Sequence, residues 1–166
     1  MVTFQKNAGQ SDGDGVLSWF KPPQSLDPLY PAGFSTQVNW IASKYAAPIP
    51  GQRVLQLPDS PANLRVTLAG GNVAGFAPFS VTLDRKNIVT GNGGVGFKLI
   101  LTPATGAFSG SFIDQSTHTL RSFSGSVFQE QNLGSGFFIG SGETGVVLLE
   151  SSSTTTVRSD GSGVEP

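Results

Sequence analysis

Few side chains in this 166-residue sequence could carry out acid–base or nucleophilic chemistry. A serine hydrolase needs a histidine beside its nucleophile, and His118 is the one histidine, four residues after Asp114. Two further carboxylates, Glu130 and Glu143, flank a predicted strand that would hold them roughly 20 Å apart. A glycosidase pair needs roughly 5–10 Å. These four residues are the candidates for a small ester or glycoside hydrolase, but a catalytic site is the less favoured hypothesis.

Metal and cofactor chemistry have little support in the sequence. Cysteine is absent, which excludes disulfides, thiol catalysis and thiolate metal sites together, and one histidine is a poor nitrogen donor set. The glycine-rich segment 91–96 is close to a dinucleotide fingerprint. It precedes a predicted strand, however, and the phosphate site of that motif requires a helix N-terminus. The sequence therefore predicts no metal and no cofactor.

Aromatic side chains near the start of the chain are the better candidates for a binding site. Trp19, Tyr30, Trp40 and Tyr45 lie among prolines and polar residues within the first 45 positions. Exposed aromatic rings with asparagine and glutamine neighbours are typical of surfaces that stack on sugar rings. The competing interpretation is core packing, because tryptophan is usually mostly buried. These four residues are the predicted binding residues for a glycan or a small-molecule ligand.

Composition limits the partners and the setting of the chain. The net charge is −1 and 13% of the residues are charged, so there is no basic field to attract nucleic acid. No apolar run approaches the roughly 20 residues of a membrane helix. Low charge with abundant serine, threonine and glycine favours an extracellular or cell-surface protein. The first residues lack the apolar middle of a signal peptide, so the chain is either cytoplasmic or a part of a longer exported protein. The second alternative is favoured, because the first predicted strand begins only at Val16, after a lead rich in glycine and aspartate.

The fold is indicated by a pattern of period two. Residues 108–112 and 123–127 spell nearly the same alternation of large apolar residue, serine and glycine, and 134–140 is a third variant. Such alternation is typical of strands, and glycine beside phenylalanine predicts bends. We therefore predict an all-β fold of about 9–11 short strands in a strongly curved antiparallel sheet that closes toward a barrel; a β-sandwich is the alternative. The predicted strands cover 16–20, 36–43, 53–57, 63–69, 77–83, 87–90, 95–101, 107–113, 120–128, 135–140 and 145–150.

The predicted organisation is a single β domain at 16–150. It divides into a proline-rich aromatic half, 16–52, and a strand meander, 53–150. A flexible lead, 1–15, precedes the domain and a mobile tail, 151–166, follows it. Within the meander, the composition of residues 84–87 and 102–106 predicts two hairpin turns.

Much of the chain resembles a known β-rich module. The segments that carry the resemblance are 108–114, 121–127, 129–140 and 145–149, with 17–22 and 30–34 as the upstream half. They are similar to the C-terminal module of large secreted or surface proteins of environmental bacteria. The resemblance implies no catalytic residue, and it implies strands before the one that contains Trp19. A module without those strands would have open sheet edges, which favour dimerisation or domain swapping.

The leading hypothesis is therefore a non-catalytic, barrel-like module of an exported protein that binds a ligand or glycan or acts as a structural spacer. The hydrolase described above is one alternative. A homo-oligomeric scaffold, assembled through open sheet edges, is the other.

Overall fold

The computed structural model describes residues 13–73, 77–91 and 94–152. Within these ranges the chain forms ten strands and no helix, which confirms the all-β prediction. The described residues thus include no helix that could span a membrane. The strands are β1 (Gly13–Lys21), β2 (Phe34–Ala42), β3 (Leu64–Gly70), β4 (Phe79–Leu83), β5 (Val89–Thr90), β6 (Lys98–Thr102), β7 (Ala107–Asp114), β8 (Thr119–Phe128), β9 (Leu133–Ile139) and β10 (Thr144–Ser151).

Eight of the strands form one strongly curved antiparallel sheet. Its order is β5-β4-β3-β10-β9-β8-β7-β6, and every neighbouring pair is antiparallel. The two end strands, β5 and β6, approach each other, so the sheet is a nearly closed barrel with one seam. The remaining strands, β1 and β2, form a separate two-stranded hairpin.

The repeated segments at 108–112 and 123–127 place phenylalanine and glycine on the inner face of the barrel. Phe108 of β7 lies opposite Gly125 of β8, and Gly110 lies opposite Phe123. A Cβ atom at Gly125 would come within 2.6 Å of the Cα of Gly136 and closer to the Phe108 ring. Each glycine thus makes room for a ring on the neighbouring strand, an arrangement that also pins the strand register.

The barrel interior is filled by side chains. Phenylalanine rings from β7, β8 and β9 pack against leucine and valine side chains from the opposite strands. The most buried of these residues are Leu64, Val66, Val81, Leu83, Phe108, Phe112, Phe123, Phe138, Val147 and Leu149. The serines between the rings point outward, and most of them are exposed. The inner face therefore supplies the core and the serine face lies in solvent.

The segment 43–58 crosses one end of the barrel without forming a strand, and we call it the strap. The prediction of a strand at 53–57 is therefore wrong. Val54 and Leu55 of the strap are buried in the core. The strap is fixed by side-chain amides of barrel turns, which bond its backbone as a neighbouring strand would. Gln129 accepts from the N–H and donates to the C=O of Ala46, each at 2.9 Å, and Asn132 holds Gln56 in the same way.

Both predicted turns are confirmed. In the first, the Asp84 carbonyl accepts from Asn87 N–H at 3.0 Å. In the second, the Thr102 carbonyl accepts from Gly106 N–H at 2.9 Å, and Gly106 has a positive φ of 73°. The first strand begins at Gly13, inside the predicted lead, and β10 runs to Ser151. The rest of the lead, 1–12, and of the tail, 153–166, lies outside the described residues.

Candidate functional site

The hairpin formed by β1 and β2 exposes large apolar side chains on both of its faces. On one face lie Leu17 and Trp19, which are 53% and 56% exposed. On the other lie Val16, Phe20 and Ile41, of which Phe20 is 68% exposed. Scattered exposed apolar residues are normal, but a contiguous set of this kind marks an interaction surface.

A groove of about 620 Å³ lies where the hairpin meets the barrel; we call it the Trp19 groove. Its walls are mostly apolar, and the barrel contributes one residue, Thr144 from the start of β10. Residues that line it are Trp19, Phe20, Lys21, Pro22, Asp27, Leu29, Tyr30, Phe34, Thr36, Val38 and Thr144. A volume of this size with a few polar groups at the edge is typical of small-ligand sites.

Phe34 is the centre of the aromatic cluster in the groove. Its ring meets Trp19 edge to face at 5.4 Å between centroids, and Tyr30 at 5.2 Å. Such contacts hold rings in fixed orientations. Because β1 and β2 are antiparallel, Phe34 lies opposite Lys21 at the closed end of the hairpin. Trp19 is therefore held by a neighbouring ring while more than half of its surface remains accessible.

Tyr30 joins the groove to the barrel. Its hydroxyl accepts from Thr144 N–H at 2.9 Å and shares a hydrogen bond with Thr144 Oγ1 at 2.8 Å. Its own N–H donates to the Gly142 carbonyl at 3.0 Å. Tyr30 makes these contacts with a positive φ of 53°, which is uncommon for a residue with a side chain. Its principal role in the groove is to position the hairpin against the loop between β9 and β10.

Lys21 and Asp27 supply charge at the groove. The Lys21 ammonium lies 3.2 Å from Asp27 Oδ2 and donates to the Tyr30 carbonyl at 3.1 Å. The Leu29 N–H, which donates to Asp27 Oδ1, and then the Lys21 ammonium hold the pKa of Asp27 below its ordinary value. Asp27 is thus ionised at neutral pH, and its carboxylate can accept hydrogen bonds from a polar ligand while the Lys21 ammonium can donate them.

The other two predicted binding residues lie outside this groove. Trp40 packs over Gly15, whose Cβ would lie 2.9 Å from the indole nitrogen. Tyr45 packs against the core, covers Gly106 and donates its hydroxyl hydrogen to the Pro103 carbonyl. Burial raises the pKa of that hydroxyl. The structure therefore brings Trp19 and Tyr30 together and gives Trp40 and Tyr45 packing roles.

Asp114 is fully buried and already has partners. Its carboxylate accepts from Ser116 Oγ at 2.6 Å and Arg121 Nε at 2.8 Å. The Ser116 hydroxyl and then the Arg121 guanidinium hold the pKa of Asp114 well below its ordinary value, although burial opposes this. Arg121 also donates to the carbonyls of Ile139 and Gly140. The pair ties the turn between β7 and β8 to the end of β9, which is a structural role.

The remaining catalytic candidates do not surround one point. His118 is an exposed turn residue with a φ of 57°, and its N–H donates to the Asp114 carbonyl. Glu143 lies in the loop between β9 and β10, at the same end of the barrel as Asp114. Glu130 lies in the turn between β8 and β9, at the opposite end, as its sequence position predicted.

Of the groove residues to which no binding role was assigned from the sequence, Lys21, Asp27 and Phe34 supply its charged groups and its central ring. A signal for the charged pair was present, since Lys21 and Asp27 are the only charged residues between Asp14 and Lys44. Their contact depends on the fold of the connector, which residue types alone do not specify.

A second hollow, of about 410 Å³, follows the barrel seam beside β5 and β6. In the part of the chain that the structure describes, no group of three or more acidic or histidine side chains could hold a metal ion.

Comparison with family models, with curated proteins and with solved structures finds no match to this chain.

Proposed function

We propose that this chain is a non-catalytic binding module of an exported protein, and that the Trp19 groove binds a carbohydrate. The observation that carries the proposal is Trp19 itself. Its ring is held by Phe34 yet more than half exposed, at the mouth of an apolar groove. Exposure of such an indole ring to water is unfavourable, and binding of an apolar surface over the ring is therefore favourable.

Carbohydrates match the chemistry of this groove. A sugar ring has an apolar C–H face that stacks on an aromatic ring, and hydroxyl groups around its edge. In the groove, Trp19 and Phe34 provide the apolar surface, while Lys21 and Asp27 provide an ammonium and a carboxylate. A neutral sugar can use both charges, because each hydroxyl both donates and accepts hydrogen bonds.

The filled barrel supports a site on the surface of the module. Phe108, Phe112, Phe123 and Phe138 are each no more than 3% exposed and occupy the interior from which other barrels bind ligands. The outward serine face and the hairpin are therefore the surfaces left for recognition. The low charge and the resemblance to secreted modules support the exported setting.

The hydrolase alternative has less support from the same structure. Asp114 is buried and bonded to Ser116 and Arg121, so its carboxylate is not available to a substrate. Glu130 and Glu143 lie at opposite ends of the barrel. His118 and Glu143 share an end, but the exposed His118 has no carboxylate bonded to its ring among the described contacts.

A glycan array probed with the labelled protein tests the proposal. We expect binding to one class of glycan, and a Trp19→Ala variant should lose at least tenfold in affinity when a bound glycan is titrated by calorimetry. Ile41→Ala removes an exposed apolar side chain from the opposite face of the hairpin and is the matched control. Circular dichroism establishes that both variants are folded.

The control should bind as the unmodified protein does. An array with no binding above background would reject the proposal. Binding that Trp19→Ala leaves unchanged would equally reject it, because the ligand would then occupy another surface.

A further inference from the structure

Within the described ranges, the outer edge of β1 has no partner strand. Among the described residues β1 pairs only with β2, along all nine of its positions. Every second residue of β1 therefore directs its N–H and C=O away from the hairpin. A two-stranded hairpin is at best marginally stable in water, and an open edge is a template for pairing with another chain.

The part of the chain that the structure describes also leaves much of both hairpin faces exposed. Four of the five residues from Val16 to Phe20 are large and apolar, and each of the four is more than half exposed: Val16, Leu17, Trp19 and Phe20. Extending the sheet by further strands would bury both faces in part, because neighbouring side chains on one face cover one another. Additional strands beside β1 would therefore both pair with its open edge and cover part of its exposed side chains.

We propose that two copies of this chain pair through β1, antiparallel and around a two-fold axis at Leu17, to form a four-stranded sheet of order β2-β1-β1-β2. The sequence of β1 is complementary to itself in this register. Leu17 lies opposite Leu17 of the second copy, and Gly15 lies opposite Trp19 of the second copy. This proposal does not depend on the ligand of the Trp19 groove.

Glycine opposite an aromatic ring is a recurrent pairing in this protein. It occurs at Gly15 with Trp40, at Gly110 with Phe123 and at Gly145 with Phe138. Gly15 has Trp40 on its β2 side. In the proposed dimer it has Trp19 of the second copy on its other side, so that the small residue leaves room for both indoles.

Charge favours the antiparallel arrangement. The strand has two charged residues, Asp14 near its start and Lys21 at its end. Antiparallel pairing around Leu17 places Lys21 opposite Gly13 and Asp14 opposite Phe20 of the second copy, so that no like charges are adjacent. Parallel pairing in register would instead place like charges side by side, which destabilises a sheet.

The edge of β2 fits a second copy less well. Antiparallel pairing of β2 around Val38 would place Trp40 opposite Thr36, and the strand has no charged residue to set its direction. The edge of β1 therefore specifies pairing with a second copy better than the edge of β2 does.

Cysteine cross-linking tests the register, because the chain has no cysteine of its own. In the proposed dimer the Leu17 Cα atoms are about 4.5–5.5 Å apart, within the range that a disulfide spans. Under mild oxidation the Leu17→Cys variant should form a covalent dimer rapidly. Val38→Cys, at the position paired with Leu17 in β2, is the matched control and should cross-link at least tenfold more slowly.

Sedimentation equilibrium of the unmodified chain is the independent measurement. We expect a species of twice 17.3 kDa that dissociates on dilution. A Leu17→Lys variant, which would place two ammonium groups directly opposite each other in the dimer, should sediment as a monomer while keeping the circular dichroism of the barrel. A monomeric unmodified chain at every concentration, or cross-linking at Val38 faster than at Leu17, would overturn the proposal.

Discussion

Adding one methyl group at Gly145 should destabilise the barrel, because a phenylalanine ring occupies the space. Gly145 of β10 lies opposite Phe138 of β9. A Cβ atom there would lie 2.7 Å from Cε2 of that ring and closer still to Cζ and Cε1. Carbon atoms in contact are about 3.5–4.0 Å apart, so the nearest edge of the ring must move by roughly 1.5 Å. Phe112 contacts the ring edge-on at 5.0 Å and resists that movement.

The expected cost follows from two opposing terms. Overfilling a packed core costs about 1–3 kcal/mol. Replacing glycine by alanine restricts the unfolded chain and returns about 0.4–1 kcal/mol. We therefore expect Gly145→Ala to lower the free energy of unfolding by about 1–2 kcal/mol, or the melting temperature by about 2–8 °C.

A double-mutant cycle with Phe138→Leu identifies the cause. The three nearest atoms to the added methyl all belong to the Phe138 ring, so a smaller side chain should relieve the clash. The double variant should be more stable than the sum of the single effects by about 1 kcal/mol. Urea denaturation followed by circular dichroism measures each free energy. Val146→Thr, at the exposed neighbouring position, is the control and should change stability by less than about 0.5 kcal/mol.

Two results would refute this reasoning. If Gly145→Ala were as stable as the unmodified protein, the ring would not be fixed against the glycine. If the effects of Gly145→Ala and Phe138→Leu were additive, the cost would come from the backbone of β10 and not from the ring.

Two further predictions concern the polar contacts at the strap end of the barrel. Asn87→Gly keeps the positive φ of 62° but removes the bonds from Val54 N–H and to the Gln52 carbonyl, so urea denaturation should show a loss of about 1–3 kcal/mol. Arg85, then the other arginine bonded to Asp59, lowers the pKa of that carboxyl to about 2. The unfolded value is 3.8, so this contribution to stability is complete above about pH 4 and is lost as the pH falls toward 2. Arg85→Gln should raise the pKa of Asp59 in an NMR titration; an unchanged pKa would contradict the assignment.

The strands of the barrel could be predicted because each contains its own signal. In β7 and β8 the large residues alternate with serine, and that period of two depends on no distant contact. The predicted bounds of these strands agree with the structure to within one residue at each end. The large residues of that pattern, Phe108, Phe112 and Phe123, are buried in the core.

The strap at 43–58 could not be predicted in this way. A strand was predicted at 53–57, a segment that contains the adjacent apolar residues Val54 and Leu55. The backbone of the strap is instead bonded by side-chain amides far along the chain, since Asn87 accepts from Val54 N–H and Asn132 accepts from Gln56 N–H. Local periodicity has no information about such contacts, because the amides act only once the barrel turns are in place.

The candidate site shows the same division between local and distant information. Exposed aromatic residues near the start of the chain could be proposed from composition, and Trp19 and Tyr30 do line one groove. Which of the four aromatic residues would share a site depended on the path of the proline-rich connector. That path brings Tyr30 to Thr144, 114 residues later, and with it Lys21 and Asp27.

The two proposals use different parts of the same strand, and the antiparallel geometry makes them compatible. Carbohydrate binding uses the side chain of Trp19, whereas pairing of two copies uses the backbone edge of β1. Around a two-fold axis at Leu17, the faces that contain Trp19 lie on the same side of the four-stranded sheet. The two indoles are then four residues apart along adjacent strands, or roughly 14 Å. A dimer of this kind would present two grooves in one direction, so that a single extended polysaccharide could contact both and gain avidity without any new contact.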